Sequence, residues 1–290
     1  MLLKKLIDFP CSHENAVGFS EEIINQTALS FPDSYNNCTA LTTLAVAMKK
    51  AMNFPFCLLP FCNTVEAEAL GGKINLGDGR IGPRVKEHVR ANVEDLLQTP
   101  PINFNEGRIH QVLLACSLLK ERGEKVALEI CGPYTILNCL LDIALLFKAW
   151  RKDPQVAEDV LGLISNNLLS YLESACAAGA DIISYADPAG SLKILGPRYA
   201  EKTALLFTAP FLQKARDITA GKCLIHLCPK TTMILTGLDL VQIGNIAIPK
   251  HLSYPEAALS VIGEADIIGQ ACLKEDSLVG NGTLKAIRFK

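Results

Sequence analysis

The chain has 290 residues, about half of them apolar and a fifth charged, with a formal net charge of −2. That composition is ordinary for a globular protein and can bury a substantial core; the charge gives no electrostatic reason to expect nucleic acid or an anionic membrane as partner. The eleven cysteines follow no framework spacing and are odd in number, so they read as small core residues of a protein kept in a reducing cytoplasm.

The amino terminus, "MLLKKLIDFPCSHENAVGF", has two lysines but no long apolar run after them, so no secretory leader is expected. No stretch approaches the ~20 uninterrupted apolar residues of a spanning helix. "CTALTTLAVAMKKAMN" predicts a helix. "FPFCLLPFCNTVEAEALGG" predicts a strand running into a loop, and "INLGDGRIGPRVKEHV" is rich in turn residues. Residues 1 to about 55 therefore read as an N-terminal helical extension packed over one end of a single domain that spans 1–290.

From there a looser unit recurs, a helix-period segment followed by a short apolar run. "RIHQVLLACSLLKERGEK" stops at Gly123 and "VALEICGPY" follows; "ILNCLLDIALLFKAW", despite Asp142 and Lys148, predicts one buried helix. "VAEDVLGLISNNLLSYLESACAAGA" is a long amphipathic helix closed by Gly179, before the strand-like "DIISYADPAGS". "EKTALLFTAPFLQKARDITAGK" is helical around Pro210, which must start or kink a turn. "CLIHLCP", "LDLVQI" and "ADIIGQAC" complete the strands, and "TLKAIRFK" can supply a last one without a covering helix. Helices alternating with nearly all-apolar strands predict an α/β fold with a parallel sheet. At this length a (β/α)8 TIM barrel leads and an open doubly wound sheet is second. No GxGxxG follows a strand and no Walker loop is present, which weakens a nucleotide-binding version.

Chemistry in such a barrel sits at the carboxyl ends of the strands. Four ends carry suggestive residues: Gly132-Pro133-Tyr134, Asp187-Pro188-Ala189, His226-Leu227-Cys228 and Cys272. Residues i and i+2 of a strand share a face, so His226 and Cys228 present an imidazole and a thiol together, the two ligands zinc prefers. A catalytic zinc needs at least three protein ligands, and Cys272 is the natural third; Cys223 points to the opposite face and is set aside. The bland alternative for each is a packed core residue. Asp187 is the candidate catalytic carboxylate; it can orient a ligand histidine, bind substrate or cap a helix. Glu66 and Glu68 share a face if their segment is extended and are ordinary first-turn acids if it is helical. His13, His88, His110 and His251 have no partners in sequence.

In this order the fragments resemble the uroporphyrinogen decarboxylase superfamily, and within it the zinc-dependent methylcobamide:thiol methyltransferases, which include the methylcobamide:coenzyme M enzymes. The matching stretches are "FPDSY", "TVEAEALGGKINLGDG", "EICGPYTI", "AGADIISYADPAGS", "IHLCPKTT" and "IIGQACLKEDSLVGNGT". The resemblance implies a (β/α)8 barrel that binds zinc through His-x-Cys and a distant cysteine, and directs a thiolate at a methyl group on a corrinoid protein. Carried over, His226 and Cys228 are metal ligands with Cys272 as third; Glu66, Glu68 and Tyr134 contact substrate, and Asp187 lines the mouth. The corrinoid belongs to a partner protein, and the acceptor is a small thiol or a related group.

There are departures. The family's third cysteine usually follows on the last barrel strand, but after Gly282 only "TLKAIRFK" remains, so part of the last βα unit can be missing. Pro229 stands where a glycine usually follows the motif, and Tyr35 where a histidine is common. Two other readings stay open. One is decarboxylation of a tetrapyrrole, which requires an arginine-rich amino-terminal segment, whereas Met1–Gly18 holds no arginine. The other is a non-catalytic barrel that binds a corrinoid or tetrapyrrole.

Overall fold

Strands that are apolar on both faces must be covered on both, and the chain meets that demand with an outer layer of helices and one helix across the inner face. The structure, a computed structural model, describes residues 6–11, 18–275 and 277–290; His13 lies outside them.

The chain begins with α1 (Glu21–Thr27), whose Ser20 side chain accepts from Ile23 N, and α2 (Cys38–Ala51), capped by Asn37 on Ala40 N. Phe19, Ile23, Tyr35 and Leu44 form a separate apolar cluster here, with Phe19 edge-on to Phe61 at 5.0 Å. Phe61 lies just past β1 (Cys57–Leu59), so this segment packs beside the carboxyl end of the first strand. A short α3 (Val65–Ala69) precedes an antiparallel arm, β2 (Lys73–Asn75) with β3 (Arg84–Glu87).

Next come α4 (Gly107–Glu121), β4 (Val126–Cys131), α5 (Pro133–Leu140), α6 (Ile143–Lys152), α7 (Pro154–Ala177) and β5 (Ile182–Ala186). The helix predicted across "ILNCLLDIALLFKAW" is two helices. Leu141 is extended, and the Asp142 side chain accepts from Ala144 N, starting α6 anew. After β5 run α8 (Leu192–Thr203), a wide π-helical turn at Ala204–Thr208, and α9 (Ala209–Thr219). Pro210, which has no N–H to give, sits in the first turn of α9, directly after the wide turn. The remaining elements are β6 (Leu224–Leu227), α10 (Pro229–Gly237), β7 (Val241–Ala247), α11 (Tyr254–Ser260), β8 (Ile267–Ile268) and β9 (Thr283–Phe289).

The large sheet has the order β1-β4-β5-β6-β8-β9-β7. Its first five strands are parallel, the arrangement the sequence predicts for a (β/α) barrel. The tail forms the expected last strand, but β9 runs antiparallel to both β8 and β7 and pairs with β7 along seven residues. "LDLVQI" thus enters the sheet at its far edge, not as a further parallel strand. No pairing joins β7 to β1 among the described residues. The barrel-type sheet stays open.

Period-two alternation sorts the strand side chains. Leu59, Leu128, Ile130, Ile183, Tyr185, Ile225 and Leu227 face outward into the core shared with α4, α7 and α9. Leu58, Ala127, Ile182 and Leu224, which are in register, face inward and pack with Tyr254, Ala257, Ala258 and Val261 of α11. In a closed barrel that inner face is filled by strands from across the axis. Here α11 crosses the inner face.

Candidate active site at the carboxyl ends of the strands

Two residues further along the strands the inward row changes character. Glu129, Ser184, His226 and Ile268 are consecutive partners across β4, β5, β6 and β8. The first three are polar and nearly inaccessible, with 8%, 7% and 2% of their surface exposed. Buried polar groups must find partners, and these do. The His226 Nε2–H donates to the Ala271 carbonyl at 2.9 Å, since a carbonyl can only accept. That leaves Nδ1 to accept from the Ser184 hydroxyl at 3.2 Å. Tyr254 packs edge-on to the imidazole at 5.9 Å. Burial lowers the His226 pKa to about 4, so the ring is neutral at physiological pH. Glu129 is paired with Lys274 at 2.8 Å.

The expected metal donors can be tested against this geometry. β8 is indeed the neighbour of β6, as a His226–Cys228–Cys272 trio requires. Cys228 follows β6 as the residue before α10, and Cys272 lies four residues past β8. The charges of Cys272 and Cys11 both bear on Cys228. Yet both ring nitrogens of His226 already have partners. Burial pushes the Cys228 thiol up to about 11 and the Cys272 thiol upward as well, away from the thiolate form a metal takes. Among the described residues no three His, Cys, Asp or Glu side chains gather as a metal ion requires. As folded, the donors do not fit zinc.

Asp187 sits past β5, where the sequence places it, but its carboxylate is fully engaged. Oδ1 accepts from Thr135 N at 2.8 Å and Thr135 Oγ1 at 2.7 Å, and Oδ2 from Tyr134 N at 3.2 Å. It caps the N-terminus of α5, and Gly132 and Gly190 leave room for it: a Cβ on either would lie 2.3 Å from Asp187 atoms. The capping alternative accounts for it without a catalytic role. Tyr134 lies in the first turn of α5. Its hydroxyl accepts from Trp150 Nε1 at 3.3 Å and from Thr203 Oγ1 at 2.9 Å, contacts to α6 and α8. The side chain is completely buried there, and these contacts account for it as a packing residue.

Glu66 and Glu68 fall on α3, so they do not share a face. Glu66 is wholly buried; Oε1 accepts from Cys131 N at 2.8 Å, Oε2 has no partner among the described residues, and burial raises its pKa. Glu68 pairs with Arg108, which also donates to Cys62 Sγ at 2.9 Å and to Thr64 Oγ1 at 2.8 Å. A cavity of about 390 Å³ opens beside α10, lined among others by Pro229, Thr232, Gly269, Gln270 and Ile287.

A family model described as uroporphyrinogen decarboxylase (URO-D) matches residues 18–281. The chain belongs to the URO-D family. Among curated proteins, it is 26% identical to the methylcobamide:CoM methyltransferase MtbA of Methanosarcina acetivorans, over 97% of this chain and 84% of that one. It is 25% identical to methylcobamide:CoM methyltransferase MtaA of Methanosarcina barkeri, over 86% of this chain and 73% of that one. A solved methyltransferase from Methanosarcina mazei superposes with a TM-score of 0.62 at 25% identity, covering 81% of this chain and 70% of that chain. These relatives support an enzyme, and a methyltransferase, as the reading of the chain.

Within the URO-D family the decarboxylase alternative calls for arginines at the pocket. Arg80 is exposed and pairs with Glu21, Arg84 is exposed on the β2–β3 arm, and Arg198 is exposed on α8. The one arginine buried among the described residues, Arg108, is committed to Glu68, Cys62 and Thr64. No described helix is long and apolar enough to cross a membrane.

Sequence reasoning missed Glu129, Ser184, Cys62, Arg108 and Lys274. Glu129 carried a signal: it is the only charged residue in an otherwise apolar strand, and such a residue is buried only with a partner.

Proposed function

We propose that the chain is a methyltransferase that moves a methyl group from a corrinoid carried by a partner protein to a small thiol or related acceptor. What supports the reading is similarity to methylcobamide:CoM methyltransferases along nearly the whole chain, joined to a buried polar row at the strand ends where the fold places chemistry. In such a transfer the acceptor sulfur forms a bond to the methyl carbon while the cobalt–carbon bond breaks, its electron pair staying with cobalt. The thiol proton must leave before or during attack. The cobalt chemistry is the cofactor's; alignment and exclusion of water fall to this chain. Zinc, which His226, Cys228 and Cys272 would have to hold, does not fit the side chains as they stand. A reducing cytoplasm suits a thiol acceptor and eleven unpaired cysteines.

The test is to incubate the purified chain with methylcobalamin and a panel of small thiols. Protein-dependent loss of the methylcobalamin spectrum with formation of the methyl thioether is the expected result. A second reading, a barrel that binds a corrinoid protein without chemistry, is favoured by one observation, the fully engaged His226. Corrinoid-protein binding with no demethylation, with and without added zinc, selects the second reading and overturns the first.

A further inference from the structure

The mismatch with zinc has a specific source. Glu129, Ser184 and His226 form a buried polar row, and one segment, the run from Gly269 to Glu275, satisfies its two ends. The Ala271 carbonyl accepts from His226 Nε2–H at 2.9 Å, and the Lys274 ammonium meets Glu129 at 2.8 Å. The segment is anchored by Leu273, which is buried with the α11 cluster, and by Lys274 N donating to Cys272 Sγ at 3.5 Å. Its entry is tight. A Cβ on Gly269 would lie 2.3 Å from Thr232 Oγ1 and 2.9 Å from both Leu227 Cβ and the Leu227 carbonyl oxygen, so only glycine passes there. Lys274 is 41% exposed while Glu129 is 10% exposed, so the ammonium stands at the mouth with its counter-ion beneath it.

We propose that Gly269–Glu275 is a built-in strap over the His226–Cys228 strand end, and that the Lys274 ammonium is the resident cation of this mouth, in competition with a divalent metal ion. Its charge bears on both His226 and Cys272, two of the three groups a metal would have to recruit. A metal ion arriving there must break the Ala271–His226 hydrogen bond and tolerate a fixed like charge, neither of which the donor set can offset while the strap is closed. Competition is reciprocal: whatever factor Lys274 takes from metal affinity, bound metal takes from the Lys274–Glu129 pair.

The experiment uses the full chain, purified without a histidine tag and stripped with chelator, with Zn²⁺ titrated against a chromophoric chelator. Lys274→Gln is expected to bind Zn²⁺ at least tenfold more tightly than the parent, and Cys228→Ser in the Lys274→Gln background to lose that gain. Lys274→Arg keeps the charge and is expected to stay as weak as the parent, which also supplies a folded control read by circular dichroism. Equal affinity in the parent and Lys274→Gln overturns the proposal, as does equal tightening in Lys274→Arg. The readout involves no methyl donor, so it stands whether or not the proposed methyl transfer is found.

Discussion

The neutral, doubly hydrogen-bonded state of His226 has a measurable consequence for acid stability. An unfolded histidine titrates near 6.5, whereas burial holds this one at about 4 in the fold. Between those pH values the unfolded chain binds a proton that the folded chain refuses, so the folded state loses stability as the pH falls. A difference of about 2.5 pH units corresponds to about 3 kcal/mol, fully present above pH 6.5 and gone below 4. Metal-free protein and its His226→Gln variant should be unfolded in urea at pH 7.5, 6, 5 and 4. The carboxylates titrate alike in both, so the change in their stability difference isolates the imidazole. The parent is expected to lose about 3 kcal/mol more than the variant across that range. A difference below about 1 kcal/mol, or one of opposite sign, would mean that the folded imidazole is charged. The Ala271 and Ser184 hydrogen bonds would then not set its state.

Asp187→Ala removes three hydrogen bonds to a carboxylate at the start of α5. It should cost about 3 kcal/mol, roughly 5 °C in Tm, in a thermal melt. The folded fraction should keep turnover within about tenfold; an unchanged melt with turnover abolished restores the catalytic role. Tyr134→Phe strands Trp150 Nε1, while Thr203 Oγ1 keeps the Tyr199 carbonyl at 2.8 Å, and should destabilise by about 1–3 kcal/mol while leaving the acceptor KM unchanged. A raised KM with an unchanged melt would put the ring back at the substrate. Burial raises the Glu66 pKa, so the folded chain holds that proton more tightly than the unfolded one. The stability associated with it is full below the unfolded value near 4.3 and is lost as the pH rises through the folded value. Glu66→Gln should therefore gain on the parent as the pH increases from 4 to 8 in urea titrations; a difference that does not vary with pH refutes a buried, proton-holding carboxyl.

The parallel strands were legible because burial on both faces leaves one signature, a short unbroken apolar run, and β4, β5 and β6 all carry it. The direction of β7 was not. "LDLVQI" reads the same whether it continues a parallel barrel or zips antiparallel to a tail forty residues on, because pairing partner is a long-range property. The break at Leu141 was within reach, since Asp142 ahead of an apolar helical run is an N-cap signal. Asp187 was harder, because an acid before Pro-Ala-Gly at a strand end looks the same whether it meets substrate or the amides of α5.

The same limit governs the centre of the site. A histidine, a serine and a glutamate on inward positions of three adjacent strands form the buried polar row; strand parity gives the face of each, and the pairing of the strands brings them side by side. What completes that row is not readable, because any donor or cation at the mouth satisfies it: a metal, a ligand or the chain itself. Lys274, in the polar run "LKEDS", has the composition of an exposed turn. Only the fold brings its ammonium back across the inner face to Glu129. Motifs that specify ligands therefore specify a metal only where nothing within the chain reaches them first, and here Ala271 and Lys274 do.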